Sequence, residues 1–169
     1  DILFICLPEE TIKKFKNFFY KFDISINQIA CSSYAKTTNY KDNFSLFRNI
    51  SFIDVGFKKT SITTYINNKI TLLNVLPIGG NHITKDISKV LKIDLKQAEN
   101  LKINFGKNEI FLNDKSFSLE LLQKIIFART EEILEMCVRS IRLNTTPADQ
   151  YKMILMGDGS KILNNQSKD

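Results

Sequence analysis

An aspartate two residues ahead of a glycine, where an apolar run ends, is the first place where this sequence could do chemistry. The stretch is Asp54-Val55-Gly56-Phe57-Lys58-Lys59-Thr60. A carboxylate at a strand end beside a tight turn can hold a hydrated magnesium ion. Gly56 lets the backbone approach a phosphate closely, turn N–H groups can line a cradle, and Thr60 adds a hydroxyl. A plain hairpin with Asp and Gly in its turn would contain the same residues. A second place is Pro77-Ile78-Gly79-Gly80-Asn81-His82. Paired glycines ahead of a helix can present free N–H groups to an anion, or they can simply form a strand-to-helix turn, with His82 hydrogen-bonded near it. A third is Ala98-Glu99-Asn100-Leu101-Lys102, where Glu99 and Lys102 share a helix face. They could hold ribose hydroxyls and base edges, or form a solvated ion pair. The fourth is Met156-Gly157-Asp158-Gly159-Ser160-Lys161. A glycine turn after an apolar strand lets a flat base lie against the backbone, and it is also an ordinary strand–turn–helix junction.

The elements that must position these groups follow from periodicity. Ile50–Val55, Thr60–Ile66 and Lys69–Leu76 read as three successive strands, with Asn67-Asn68 as a tight turn because Asn tolerates positive φ. Thr84 is expected to cap a helix through about Leu91, and Asp94 another through about Phe105. Asn108–Leu112 reads as a short strand, with Asn113-Asp114 as a turn. Ser118 caps the longest helix, through about Leu143, with the apolar stripe Leu119, Leu122, Ile126, Ile133, Cys137 and Ile141 and a break expected near Arg129. The segment around Pro147 ends that helix. Met153–Met156 reads as a buried strand, followed by a helix start. Upstream, Ile2–Leu7 and Ile24–Ala30 read as strands, Glu9–Phe22 and Ser33–Asn39 as helices, and Tyr40–Phe47 as a loop. The pattern is mixed α and β, without an internal repeat.

Composition narrows the function. Hydrophobic residues make up 43% and charged residues 25%, a globular balance. No apolar run approaches the roughly 20 residues of a membrane helix, and Ile2–Leu7 lacks the basic flank of a signal peptide. A cytoplasmic location is expected. Net charge is +6, yet the lysines are scattered singly with no basic–aromatic alternation, so nucleic acid is not the expected partner. Cys6, Cys31 and Cys137 have no metal-ligand spacing and read as buried apolar residues. The chain opens at Asp1 inside an apolar run and stops just after a helix start, which suggests a fragment.

The order of the four groups matches the second lobe of the actin, Hsp70 and sugar-kinase superfamily. The stretch from Ile50 to Lys102, above all "LPIGGNHITKDI" and "QAENLK", resembles the FtsA family of cell-division proteins, and "FARTEEILEM" and "ILMGDGSKI" extend the resemblance to about Leu163. Phe57-Lys58-Lys59 stands where many relatives are glycine-rich, and Asp158 replaces a usual glycine. The resemblance implies an actin-like, ribonuclease H-like α/β fold. Residues 1–45 would end a small family-specific subdomain, and residues 46–169 would form most of the second lobe, with a smaller inserted subdomain at about 88–130. It implies ATP with magnesium in the cleft. Asp54 would hold the metal through water, and Gly56 and Thr60 would meet phosphates. Gly79 and Gly80 would lie beneath the nucleotide, Glu99 and Lys102 at the ribose, and Gly157, Asp158 and Lys161 near the adenine. Catalysis would be weak at most. The implied partners are the C-terminal tail of FtsZ at Lys124 and Arg129, further copies in a filament, and the inner face of the membrane at the division site, through a C-terminal helix. A pilus-assembly protein, or a sugar-kinase or Hsp70-type ATPase, is the alternative within the superfamily.

Overall fold

The computed structural model describes residues 4–105, 118–145 and 151–164. Asn108–Leu112, Asn113-Asp114 and Pro147 lie outside these residues. The chain divides into two compact units, Asp1–Leu46 and Phe47–Asp169.

In the first unit, α1 (Glu9–Tyr20) carries two i,i+4 pairs, Glu9–Lys13 and Glu10–Lys14. They stabilise its exposed face by a few tenths of a kcal/mol each. Phe18 meets Phe19 edge-on and tilts against Phe22, with ring centroids 5.5 and 5.4 Å apart. Helix α2 (Ser32–Lys41) runs straight into a 3₁₀ turn, Asp42–Phe44, where a loop was expected. Neither expected strand forms among the described residues. Phe4–Leu7 and Ile24–Ala30 are irregular, and Phe4 and Ile24 are exposed. Alternating apolar residues make a strand only when a neighbour takes up their backbone hydrogen bonds, and among the described residues the one sheet is built elsewhere.

The second unit holds that sheet. Strands β1 (Asn49–Val55), β2 (Thr60–Ile66), β3 (Lys69–Leu76) and β4 (Lys152–Met156) lie in the order β3-β2-β1-β4. The first three form an antiparallel meander, and β4 pairs parallel to β1. Asn67 and Asn68 both have positive φ, 50° and 65°, the conformation that joins twisted strands by a two-residue turn. Central β1 is buried on both faces, as expected of a strand covered on both sides. Ser51 and Thr64 are cross-strand partners whose buried hydroxyls bond each other at 2.9 Å.

A parallel return from β3 to β4 needs a long crossover, and three helices supply it. Helices α3 (Gly80–Leu91), α4 (Leu95–Asn104) and α5 (Leu119–Leu143) bring Ile83, Ile87, Ala98, Leu122, Ile126 and Ile141 onto Ile53, Val55, Ile62 and Leu72 of the sheet. Burial of each such Ile or Leu contributes about 1.5–3 kcal/mol. Asp94 caps α4, accepting from the N–H groups of Lys96 and Gln97, and Ser118 caps α5, accepting from that of Leu121. Helix α5 continues through Arg129 without a break. Its buried stripe is Leu122, Ile126, Ile133, Cys137 and Ile141, while Leu119 is half exposed in the first turn. Of the cysteines only Cys137 is buried. Burial pushes its thiol up to about 11, so it is an inert apolar filler. The last short helix is α6 (Lys161–Asn164). Among the described residues no helix is long and apolar enough to cross a membrane.

Candidate nucleotide-binding site

Three of the four sequence groups converge at one end of the sheet, and the contacts between them are backbone on backbone. The turn after β1 is closed by the Gly56 N–H donating to the Lys59 carbonyl at 2.9 Å. The carbonyls of Gly56 and Phe57 point outward and accept from the Gly80 and Asn81 N–H groups at 3.0 and 2.7 Å. The turn therefore docks onto the first residues of α3. Gly79 makes this possible by lacking a side chain. A Cβ there would lie 2.5 Å from the Gly56 carbonyl oxygen and 2.9 Å from that of Phe57. Its extended backbone would suit any residue; the constraint is space.

This arrangement corrects the expected chemistry of α3. Its start is Gly80, not a residue after Thr84, and its first N–H groups are not free for an anion. Gly80 and Asn81 donate to the turn, His82 donates to Gly79, and the Gly79 N–H donates to His82 Nδ1 at 3.2 Å. His82 is hydrogen-bonded at that turn, as the sequence suggested. Thr60 is also placed differently from a phosphate contact. It is fully buried at the head of β2, and its hydroxyl donates to the Ile78 carbonyl at 2.7 Å, tying the strand to the segment ahead of Gly79. The open donors lie one step away. No bond from the N–H groups of Phe57, Lys58 or Lys59 is found among the described residues, and all three side chains are exposed.

The β4 junction closes the other side. Gly157 has φ +85°, which L side chains rarely adopt, and a Cβ there would overlap Asp54 Oδ1 and the Val55 carbonyl. The carboxylate of Asp54 thus lies directly against the Gly157 turn. Beyond it Asp158 and Lys161 form an exposed pair at 2.7 Å.

Thr84, expected as a cap, sits inside α3 and takes part in a polar cluster with α4. Lys102 is buried, 6% exposed. Its ammonium donates to Thr84 Oγ1 at 2.8 Å, Glu99 Oε2 at 2.7 Å and the Gly80 carbonyl at 3.2 Å. Thr84 in turn donates to Glu99 Oε2. Burial pushes the Glu99 carboxyl up, but the hydrogen bonds from Lys102 and Thr84 and the charge of Lys102 outweigh it and hold it below the ordinary carboxylate value. The Phe57 ring lies 6.0 Å from the Lys102 ammonium. Nothing in the spacing of Thr84 or Phe57 announced these contacts, because each crosses between elements.

Lys124 and Arg129 belong to another surface, the cleft between α3 and α5, also lined by Asp86, Lys89 and Glu132. Lys124 forms an exposed pair with Glu120 at 2.6 Å. Arg129 is held in a fork by Asp86 on α3, with Nε–Oδ2 2.5 Å and Nη2–Oδ1 3.1 Å, and by Glu132 at 2.5 Å. The Asp86 hydrogen bond leads the effects that raise its pKa. Asp86 was not anticipated, because it lies 43 residues from its partner.

Comparison with known proteins agrees with this architecture. The family model "Cell division protein FtsA" matches residues 51–146. The FtsA protein of Bacillus subtilis (strain 168) is 34% identical over an alignment of 135 residues that covers 71% of this chain and 30% of that protein. Among solved structures, the "PilM-PilN type IV pilus biogenesis complex" superposes with a TM-score of 0.71 at 18% identity, covering 91% of this chain and 42% of that one. MreB5 of Spiroplasma citri bound to ADP superposes with 0.67 at 16% identity, covering 96% and 65%. At these identities the structures establish an actin-like fold and nothing finer. The chain spans less than a third of the curated relative's length, and it belongs to the FtsA family of cell-division proteins.

Proposed function

We propose that this chain is one jaw of an ATP site in an actin-like cell-division protein. The observation that carries the reading is the convergence of the Asp54–Lys59 turn, Gly79-Gly80 and Gly157–Gly159 at one sheet end. The donor set suits a magnesium nucleotide. Three N–H groups without a bond among the described residues, and two exposed lysine side chains, at residues 57–59 are matched to phosphate oxygens. Asp54, at the strand end, suits a hydrated magnesium ion, which would neutralise phosphate charge there. Gly56 keeps the turn narrow. Gly79 and Gly80 hold the turn against α3, and Thr60 anchors β2 beneath it. Glu99 offers a charged carboxylate for ribose hydroxyls. Gly157 leaves flat backbone for a base, with Asp158 and Lys161 at its rim.

Residues 1–45 would close a family-specific subdomain, and 46–169 would form most of the second lobe, with the inserted part at about 88–130. The role is assembly more than turnover. The protein forms filaments, takes the FtsZ C-terminal tail at the Lys124–Arg129 surface, and sits on the inner face of the membrane at the division site. The acidic tail would exchange with Glu132 for Arg129, which Asp86 keeps oriented, with Lys89 and Lys124 adding positive charge along the cleft. The pilus-assembly and kinase readings share the fold, but the family to which the chain belongs favours division.

Calorimetry of Mg-ATP on the full-length protein and on residues 1–169 alone tests the reading. Binding by the full-length protein and a loss of at least tenfold for the isolated chain are expected, because one jaw lacks half the phosphate contacts. Equal affinity would contradict a cleft shared between lobes. A peptide of the FtsZ tail tests the partner surface: Arg129→Ala should weaken binding while Lys16→Ala does not.

A further inference from the structure

Helix α5 carries a groove of about 890 Å³ that shares no residue with the Arg129 cleft. Leu134 and Val138 form its half-buried floor, and Glu131, Glu135, Arg139 and Arg142 stand exposed around it. None of these four charges has an ion pair or a side-chain hydrogen bond among the described residues, although Glu135 and Arg139 are four apart on one helix. Thr130 lines the groove too. It is 6% exposed, and its buried hydroxyl has no hydrogen-bond partner among the described residues, where such a group normally has one. The acids come first along the helix and the arginines last. Arginines near the C-terminus suit the helix dipole, but the dipole accounts neither for acids in mid-helix nor for the apolar floor between the charges.

The pattern is complementary to its own reverse. Glu131 with Arg142, Glu135 with Arg139, and Leu134 with Val138 are each centred within one residue of the same point, beside Cys137, and one residue is about 1.5 Å of helix. We infer that this flank of α5 docks a second copy of the chain, antiparallel, about a two-fold axis at that point. Each acid then meets an arginine of the other copy, and the apolar floors meet in the middle. Arg142 of the second copy arrives beside Glu131 and Thr130, with donors for the carboxylate and for the unpartnered hydroxyl. A two-fold contact closes on itself, so this surface joins two copies and does not by itself extend a filament. The inference stands apart from the nucleotide reading. From Glu131 to Arg142 the helix runs about 16 Å, and a contact of that length is smaller than a standard stable interface of roughly 1,200–2,000 Å². The pairing is therefore weak and sensitive to salt, and its exposed charges set orientation more than affinity.

The test is charge reversal in the full-length protein without nucleotide, with self-association followed by sedimentation velocity across protein concentration, at low and high salt. The wild type is expected to form a dimer that weakens as salt rises. Glu135→Arg and Arg139→Glu each place like charges opposite one another in a symmetric pair, so each alone should associate at least about tenfold more weakly. Mixed in equal amounts, the two variants should pair with each other at an affinity within about threefold of the wild type, because each supplies the charge that the other lacks. An ion pair inside one helix cannot produce that rescue, which separates docking from a structural role. Glu131→Arg mixed with Arg142→Glu is a second such pair, and unchanged melting temperatures of the single variants exclude misfolding. A mixture that associates no better than its single components would overturn the inference. So would a wild-type protein that stays monomeric, its α5 flank then being covered by another part of the full-length chain. Self-association of equal strength in all variants would place the contact elsewhere and overturn it too.

Discussion

The sheet end and the α3–α5 cleft are built by opposite means. At the sheet end three turns meet with almost no side chains between them. Gly79 and Gly157 occupy positions where one added carbon would strike a neighbouring backbone or carboxylate. In the cleft, the same α3 is joined to α5 by long side chains, with Arg129 forked between Asp86 and Glu132 and each partner partly open to water. Close backbone contact leaves no slack, because packed interiors cannot absorb a methyl group. Ion pairs at a half-exposed surface tolerate substitution, since water replaces what is lost. The first region is suited to holding a ligand in one geometry, the second to adjusting to a partner.

The largest effect should come from the point of least room. Gly157→Ala adds a side chain at positive φ and into Asp54, so a loss of about 2–4 kcal/mol in urea unfolding is expected. Gly79→Ala should cost about 1–3 kcal/mol by separating the Gly56–Lys59 turn from α3, and nucleotide affinity should fall with it. A stable, fully binding Gly79→Ala protein would break the contrast. In the cleft, Asp86→Ala should cost about 1 kcal/mol by removing the fork from Arg129, and Lys124→Ala should stay within about 0.5 kcal/mol, as for an exposed i,i+4 pair. A Lys124 effect as large as that of Asp86 would erase the distinction within the cleft.

The smallest effect is a pH dependence. The Glu99 carboxyl is held below its ordinary value. Folding is therefore favoured by its charged form above the ordinary carboxylate pKa, and this contribution is lost as pH falls through the lowered value of the folded state. The stability gap between wild type and Glu99→Gln should be flat at neutral pH and shrink on acidification through that window. A gap that widened on acidification would reverse the sign.

The elements were more legible than the contacts between them. Strands β2 and β3 begin and end where alternation and the Asn67-Asn68 turn put them, because both signals are local. The Asp94 and Ser118 caps were legible for the same reason. Of the strands expected at Ile2–Leu7 and Ile24–Ala30, the described residues 4–7 and 24–30 are irregular, since apolar alternation says nothing about whether a partner edge exists. Thr84 looked like a cap because the true acceptors for the α3 N–H groups, Gly56 and Phe57, lie more than twenty residues earlier. The glycines marked the site, but their order along the chain could not reveal whether they leave room for a phosphate or for another stretch of backbone. Asp86 as the partner of Arg129, and Phe57 beside Lys102, are tertiary facts without a local signal.

The end of β1 is expected to carry the metal side of a nucleotide site. Magnesium-dependent ATP binding by full-length Asp54→Ala, measured by calorimetry beside wild type and with unfolding checked in parallel, tests it most directly. A loss of at least a hundredfold in Mg-ATP affinity with little change in stability is expected. Mg-ATP binding equal to that of the wild type would reduce Asp54 to a hairpin residue and contradict the account.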